Sequence, residues 1–173
     1  MKPLRVVKSD PQREAFYTAE AEFNPKRRYG MEITLAQARH VISDIRKLYD
    51  LPPVTVRRVD PPGPTFAAEM HIRYRNDGTV LSGQVRAYRG KHALTLQTVL
   101  HEMAHFINES ARSHGAQSHG PEFAGVFAWL FDHFRLIPQD AMRTIYRRYG
   151  IRARSHSESS PAAIRLTSTR RGA

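Results

Sequence analysis

The sequence predicts an α+β fold, in which two N-terminal helices precede a small antiparallel sheet and three C-terminal helices follow it. Three observations carry this prediction. Apolar residues recur at helical spacing on both sides of a central region that is rich in β-branched residues. The segment Asn-Asp-Gly at residues 76–78 is a strong hairpin turn signal inside that central region. Proline and glycine residues stand where the predicted elements begin and end.

The two N-terminal helices are predicted from their capping residues. Asp10 is a candidate N-cap, and the helix that follows it extends to about Phe23. A basic loop over residues 24–30 separates it from the second helix. Thr34 and Gln37 resemble a capping box at the start of the second helix. Two consecutive prolines end this helix, since the residue before a proline disfavours helical geometry.

Three strands are predicted in the central region. They cover Val54–Val59, Met70–Tyr74 and the segment from Thr79 to about Tyr88. The turn at residues 76–78 joins the second strand to the third, so these two strands are expected to pair antiparallel. A glycine inside a strand often marks a bulge, and Gly83 therefore predicts a bulge or a bend in the third strand.

Three amphipathic helices are predicted after the sheet. The first of them starts near Thr95 and carries an apolar stripe at helical spacing. A polar loop over residues 110–118 follows it. The next helix has Pro121 at its first position, where the missing N–H is tolerated. The last helix runs from Pro138 to about Tyr149 and is followed by a glycine at the C′ position.

The charge distribution divides the chain into a domain and a tail. The 173 residues carry 27 Lys and Arg against 16 Asp and Glu, a net charge of +11. The apolar pattern ends at residue 150, so residues 1–150 are predicted to form one domain. Residues 151–173 hold five arginines and one glutamate, and they predict a basic disordered tail. The remaining charge of the domain is also positive, which favours polyanionic partners such as nucleic acid.

Composition excludes several classes of protein. The absence of cysteine excludes disulfides, thiol catalysis, cysteine-ligated zinc and iron–sulfur clusters. No segment approaches the roughly 18 consecutive apolar residues that a membrane span requires. The N-terminal residues hold no apolar region typical of a signal peptide. The chain is therefore expected to be soluble, intracellular and cytoplasmic, with no membrane partner.

The helix that starts near Thr95 carries the segment His101-Glu102-Met103-Ala104-His105, an HExxH motif. Residues four apart lie on one side of a helix, so both imidazoles can share one Zn²⁺ ion. The intervening Glu102 lies beside the metal without binding it. There it can take a proton from a zinc-bound water, whose pKa the metal lowers towards about 7. The alternative is a helix with two surface histidines and an ordinary glutamate.

A catalytic zinc usually has three protein ligands and one open position. The extended pattern HExxHxxGxxH fails, because Asn108 and Ala111 occupy its glycine and histidine positions. Glu122 lies at a suitable separation, and His114 lies in the intervening loop. The best candidate is His119, which immediately precedes the next predicted helix and can fold back beside the first pair.

The segments HEMAH (101–105) and HGPEF (119–123), separated by a polar loop, resemble the SprT-like/Spartan family of zinc metallopeptidases. The resemblance is tight over residues 98–127 and extends more loosely, as an order of elements, over residues 34–149. It implies a zincin-like fold with the HExxH motif on the active-site helix. It also implies that the zinc ligands are His101, His105 and His119, and that Glu102 is the catalytic residue.

The resemblance further implies a zinc-dependent peptidase that acts on DNA-associated proteins. Many members carry a C-terminal zinc ribbon, which this chain cannot form without cysteine, and the basic tail occupies its place. Three alternatives remain open. The substrate can be a soluble protein, the chain can be a nucleic-acid-binding module with a structural zinc, or the same chemistry can attack a non-peptide carbonyl.

DNA is the expected nucleic-acid partner, through the basic surface and the tail. The last helix places Arg143, Arg147 and Arg148 near Tyr146 and Tyr149. Basic residues interleaved with aromatic ones suit single-stranded DNA, because phosphates pair with the former and bases stack on the latter. The equally weighted alternative is a solvated basic face with the tyrosines packed inward.

Overall fold

The computed structural model describes residues 10–23, 32–60, 68–89, 94–111 and 118–154. The described residues form α1 (Arg13–Phe23), α2 (Leu35–Tyr49), β1 (Val54–Val59), β2 (Ala68–Tyr74), β3 (Val80–Tyr88), α3 (Leu96–Ser110), α4 (Pro121–His133) and α5 (Gln139–Arg148). The α+β class and the order of the elements are confirmed. The predicted basic loop at residues 24–30, most of the polar loop before α4, and tail residues 155–173 lie outside the described residues.

Local signals set the helix ends. Thr34 and Gln37 form the predicted capping box: the Gln37 N–H donates to Thr34 Oγ1 at 3.2 Å, and the Thr34 N–H donates to Gln37 Oε1 at 2.8 Å. Thr95 caps α3 in the same way, because its side chain accepts a bond from the Thr98 N–H. Gly150 follows α5 with a φ of +67°, the left-handed conformation that glycine adopts readily.

The sheet is mixed, and the prediction of a wholly antiparallel sheet was wrong. The strand order is β1-β3-β2. The hairpin of β2 and β3 is antiparallel as expected, but β1 pairs parallel with β3 along its other edge. Consecutive strands β1 and β2 therefore do not pair with each other. This arrangement packs β1 against α2, with Val54 and Val56 buried.

The predicted bulge at Gly83 is also wrong. Gly83 is in register with Val54 on one side and with Ile72 on the other, and the register shift lies between Arg73 and Tyr74. A different constraint requires glycine at position 83. A Cβ atom built there would lie 2.6 Å from Phe106 Cε2 of α3, well inside van der Waals contact. The glycine therefore allows α3 to approach the sheet closely.

Helix α3 is the centre of the fold. It contacts α2, β2, β3 and α4, and α4 in turn contacts α5. Helix α1 closes the other side through Phe16, which is fully buried against aromatic rings of α4 and α5. Burial of a side chain of that size is worth roughly 1.5–3 kcal/mol. Among the described residues, no helix has both the length and the apolar character needed to cross a membrane.

The packed chain extends beyond the predicted domain boundary at residue 150. Ile151 is buried, the Arg152 N–H donates to Gln12 Oε1 at 2.8 Å, and the Arg154 N–H donates to the Pro121 carbonyl at 2.9 Å. Residues 151–154, which were predicted to begin the tail, therefore run back along the domain. They lie beside the start of α4, and this position matters for the site.

Candidate metal centre

Helix α3 positions the first two histidines. His101 and His105 are one helical turn apart, and their Nε2 atoms lie 3.1 Å from each other. His101 is buried, while His105 is half-buried. The helix is amphipathic and its apolar residues enter the core, so the histidine side faces α1 and the start of α4 rather than bulk water.

The third histidine comes from the segment just before α4. Gly120 is the N-cap of α4, with Pro121 at its first position, and His119 precedes them. The Nε2 atoms of His119 and His101 lie 3.4 Å apart. Each of the three rings offers one nitrogen to the same point, and these atoms all lie within 4.8 Å of one another. The group His101, His105 and His119 could therefore hold a metal ion.

Among the described residues, the other candidate ligand, Glu122, does not join this group. The Glu122 carboxylate lies 3.1 Å from the Arg154 Nε and forms an ion pair with it. Its position in the first turn of α4 also suits a negative charge. His114 lies outside the described residues.

Two carboxylates of the N-terminal segment contact the Nδ1 atoms of His101 and His119. Glu20 Oε1 accepts a hydrogen bond from His101 Nδ1 at 3.0 Å. Asp10 Oδ2 accepts one from His119 Nδ1 at 2.7 Å, and a second from the His119 backbone N–H at 3.2 Å. Sequence reasoning missed both roles, since it assigned Asp10 only as a cap. Glu20 directly follows Ala19, which is buried on the apolar side of α1. A carboxylate next to a buried position was the available signal for the role of Glu20.

These carboxylates determine which ring nitrogen faces the centre. A carboxylate only accepts, so Nδ1 of His101 and of His119 carries the proton. In the neutral rings, Nε2 then presents a bare lone pair. Two such lone pairs face each other at 3.4 Å, an arrangement that a cation between them would stabilise.

Burial and charge shift the pKa values of the three histidines. Burial holds the pKa of His105 well below its usual value, and charge on His101 and His119 lowers it further. Burial lowers the pKa of His119 as well, against the opposing effect of Asp10. Burial alone would lower the pKa of His101, but the Glu20 carboxylate outweighs it and the net shift is upward. The low value at His105 keeps that ring in the neutral form that binds metals.

Glu102 is buried beside this cluster. Burial raises the pKa of Glu102 to about 7, with smaller contributions from the charges of Glu20 and Glu69. The charge of His101 and a hydrogen bond from the Met70 backbone oppose this shift. A carboxyl group with a pKa near neutrality can both accept and release a proton, as general acid–base chemistry requires.

Aromatic side chains surround the histidines on the α1 side. Phe16 packs against His101 and His119, with ring centroids 6.0 and 5.5 Å away. The Tyr17 ring stacks on His101 at 5.9 Å, and it is 43% exposed. The Arg13 guanidinium carbon lies 5.8 Å from the centroid of the Tyr17 ring. Arg13 and Tyr17, together with Asp10, line an open depression of about 740 Å³ on the surface of α1.

The two tyrosines expected to stack on DNA bases both hydrogen-bond other residues of the protein. Tyr146 is 1% exposed, and its hydroxyl donates to the Ala124 carbonyl at 3.3 Å. The Tyr149 hydroxyl donates to Glu22 at 2.7 Å, and Arg148 pairs with the same carboxylate. Tyr146 is therefore packed inward, as the alternative prediction states, whereas Tyr149 is half-buried.

These contacts define the class of site. Two histidines of α3 and one from the segment before α4 lie close together, with a buried carboxyl group beside them. Two further carboxylates bind the Nδ1 atoms of His101 and His119. Comparison of the chain with protein-family models, with curated proteins and with solved structures found no match. The function is therefore argued from the site itself.

Proposed function

We propose that the chain is a zinc-dependent metallopeptidase with a zincin-like fold, in which His101, His105 and His119 bind Zn²⁺ and Glu102 is the general base. The nitrogen spacing carries this proposal. Zinc–nitrogen bonds of 2.0–2.1 Å at tetrahedral angles separate two nitrogens by about 3.3–3.4 Å. The two Nε2 separations from His101, 3.1 and 3.4 Å, are close to that value, and all three nitrogens lie within 4.8 Å of one another. Three histidines leave the open fourth position that is typical of catalytic zinc.

The protein groups divide the chemistry between them. When bound, zinc polarises a substrate carbonyl and lowers the pKa of a coordinated water. The Glu102 carboxylate accepts the proton of the attacking water and can return it to the leaving amine, because its pKa is near 7. Glu102 also separates this proposal from a purely structural zinc site. A structural site has all four metal positions filled by the protein, so it has no bound water to deprotonate and no need of a general base.

The substrate is proposed to be a peptide in an extended conformation. In the described sheet, β2 is an edge strand, and its Met70 backbone hydrogen-bonds Glu102. An extended chain can pair with an edge strand through main-chain hydrogen bonds, which recognise a peptide without requiring one sequence. The edge of β2 and the general base are therefore neighbours, which favours peptide hydrolysis over attack on other carbonyls.

The positive charge of the chain supports DNA-associated proteins as the proposed targets. The chain carries a net charge of +11, and Arg57 and Arg73 are exposed on the sheet. Phosphate contacts from arginines supply affinity for DNA without sequence preference. Because Tyr146 is in the core, it gives no support to a single-stranded preference. A soluble protein target is the alternative.

The decisive experiment compares Glu102→Gln with Glu109→Gln, the same change two turns later on α3. Loss of a general base typically lowers turnover by about 10²–10⁴-fold. Both variants are expected to keep one zinc per chain, and only Glu102→Gln should lose peptidase activity. The measurements are zinc content by elemental analysis and hydrolysis of an unfolded protein substrate, with and without DNA. Near-normal turnover of Glu102→Gln would contradict the assigned mechanism.

A further inference from the structure

We propose that Asp10 and Glu20 are positioning residues, which select the tautomers of His119 and His101 that bind the metal. The inference rests on the proposed function, in that the metal is the same zinc. It gives α1 and the residues before its first turn a role in metal binding, which the HExxH and HGPEF segments alone do not explain. Without these carboxylates, each ring is free to place its proton on Nε2, where it blocks the lone pair that the metal needs.

The two contacts are alike in geometry and in burial. Each joins one carboxylate oxygen to one Nδ1 atom, at 2.7 Å for Asp10 and 3.0 Å for Glu20. The carboxylate side chains are only 11% and 13% exposed. Water therefore competes little with either bond, and a charged acceptor in such surroundings binds its donor strongly.

Helix α1 carries one of the two carboxylates, and the turn that precedes it carries the other. Asp10 lies at the start of the segment and Glu20 lies near the end of α1. Between them, Phe16 is fully buried and contacts both histidine rings. Gln12 also ties this segment to the third ligand, because its side-chain amide donates to the His119 carbonyl at 3.0 Å. Helix α1 thus fixes the two rings relative to each other.

A purely structural role for Asp10 makes a different prediction. Asp10 also accepts the backbone N–H of His119, so it could serve only to hold that segment in place. Asparagine at position 10 can put its amide oxygen in the place of Oδ2, where it still accepts the His119 backbone N–H. It then offers Nδ1 only a neutral acceptor in place of a carboxylate. A neutral acceptor holds the Nδ1 proton less strongly than a charged one. A structural role predicts that asparagine is sufficient, whereas a positioning role predicts that it is not.

The experiment uses the full chain and three matched variants: Asp10→Asn, Glu20→Gln and, as the control, Glu14→Gln on the exposed face of α1. The zinc dissociation constant is measured by competition with a chelator. Removal of such outer hydrogen bonds typically weakens metal binding by about 10–100-fold. We expect that weakening in Asp10→Asn and in Glu20→Gln, and less than about twofold change in the control. The visible spectrum of the Co²⁺-loaded protein should change in the same two variants.

Charge-preserving variants separate position from stability. Asp10→Glu and Glu20→Asp retain a charged acceptor for Nδ1, and both should bind zinc more tightly than the corresponding amide variants. The melting temperature of the metal-free protein should be similar in the control and the amide variants. If the amide variants lose metal-free stability in proportion to zinc affinity, or bind zinc as tightly as the wild type, the positioning role is refuted. If the wild type binds no zinc, the proposed function fails instead.

Discussion

Replacing Gly83 by alanine tests the closest approach between the sheet and the helix of the metal centre. The added methyl carbon would lie 2.6 Å from Phe106 Cε2 and 2.8 Å from Phe106 Cδ2. Ordinary contacts between carbon atoms are about 3.5–4.0 Å. The Phe106 ring must therefore move by about 1 Å, or α3 must move away from β3. Since Phe106 is fully buried, no open space is available to the ring.

The size of the effect follows from this overlap. Insertion of one methyl group into a well-packed core typically costs about 1–3 kcal/mol. For a domain of this length, each kcal/mol lowers the melting temperature by about 2–4 °C. We therefore expect Gly83→Ala to melt about 2–12 °C below the wild type. The measurement is thermal unfolding in the presence of a chelator, so that zinc affinity does not contribute.

A second substitution identifies the cause. Phe106→Leu removes the atoms that the new methyl group meets, so Gly83→Ala should cost less in that background. Gly150→Ala is the matched control, because a Cβ at Gly150 meets nothing within 4 Å and its cost comes only from the positive φ. Its cost should be the same with either residue at position 106. An equal cost of Gly83→Ala in both backgrounds would refute the steric explanation.

Two further predictions concern the ligands and the tail. His119→Ala should reduce zinc below one per chain, whereas Glu122→Ala and His114→Ala should retain it; elemental analysis decides, and the opposite pattern would overturn the ligand assignment. Deletion of residues 155–173, which carry three arginines and one glutamate, should reduce the salt dependence of DNA binding by about 0.7–0.9 in the log–log slope for each phosphate that the tail neutralises. Titration of labelled single- and double-stranded oligonucleotides measures this slope, and no binding at about 50 mM salt would refute the DNA proposal.

Local signals in the sequence were sufficient to predict the helices. They were not sufficient to predict which strands pair with each other. The capping box at Thr34 and the C′ glycine at position 150 both act within a few residues of themselves. The choice of partner for β1 depends instead on burial of its valines under α2. Gly83 is a second feature whose cause is not local in the sequence. A glycine inside a strand is visible in the sequence, but the reason for it, Phe106, lies on another element.

The contacts of the candidate site are likewise partly local and partly non-local in the sequence. His101 and His105 are paired by helical periodicity, which the sequence states directly. His119 was the best candidate because it stands just before the next predicted helix, and the resemblance of its segment to a family implied the same ligand. The contacts of Glu20 with His101 and of Asp10 with His119 span 81 and 109 residues, and no local pattern encodes them.

The connection from Gln12 to both His119 and Arg152 has a consequence for biosynthesis. This side chain bonds residues that lie 107 and 140 positions further along the chain. During translation, α1 leaves the ribosome before His119 and Arg152, the partners of Gln12, have been made. At about 5–20 residues per second, the segment that carries Arg152 follows His119 by a few seconds. A nascent chain therefore lacks these contacts until the segment of Arg152 has been made, and we expect the candidate metal centre to be complete only then.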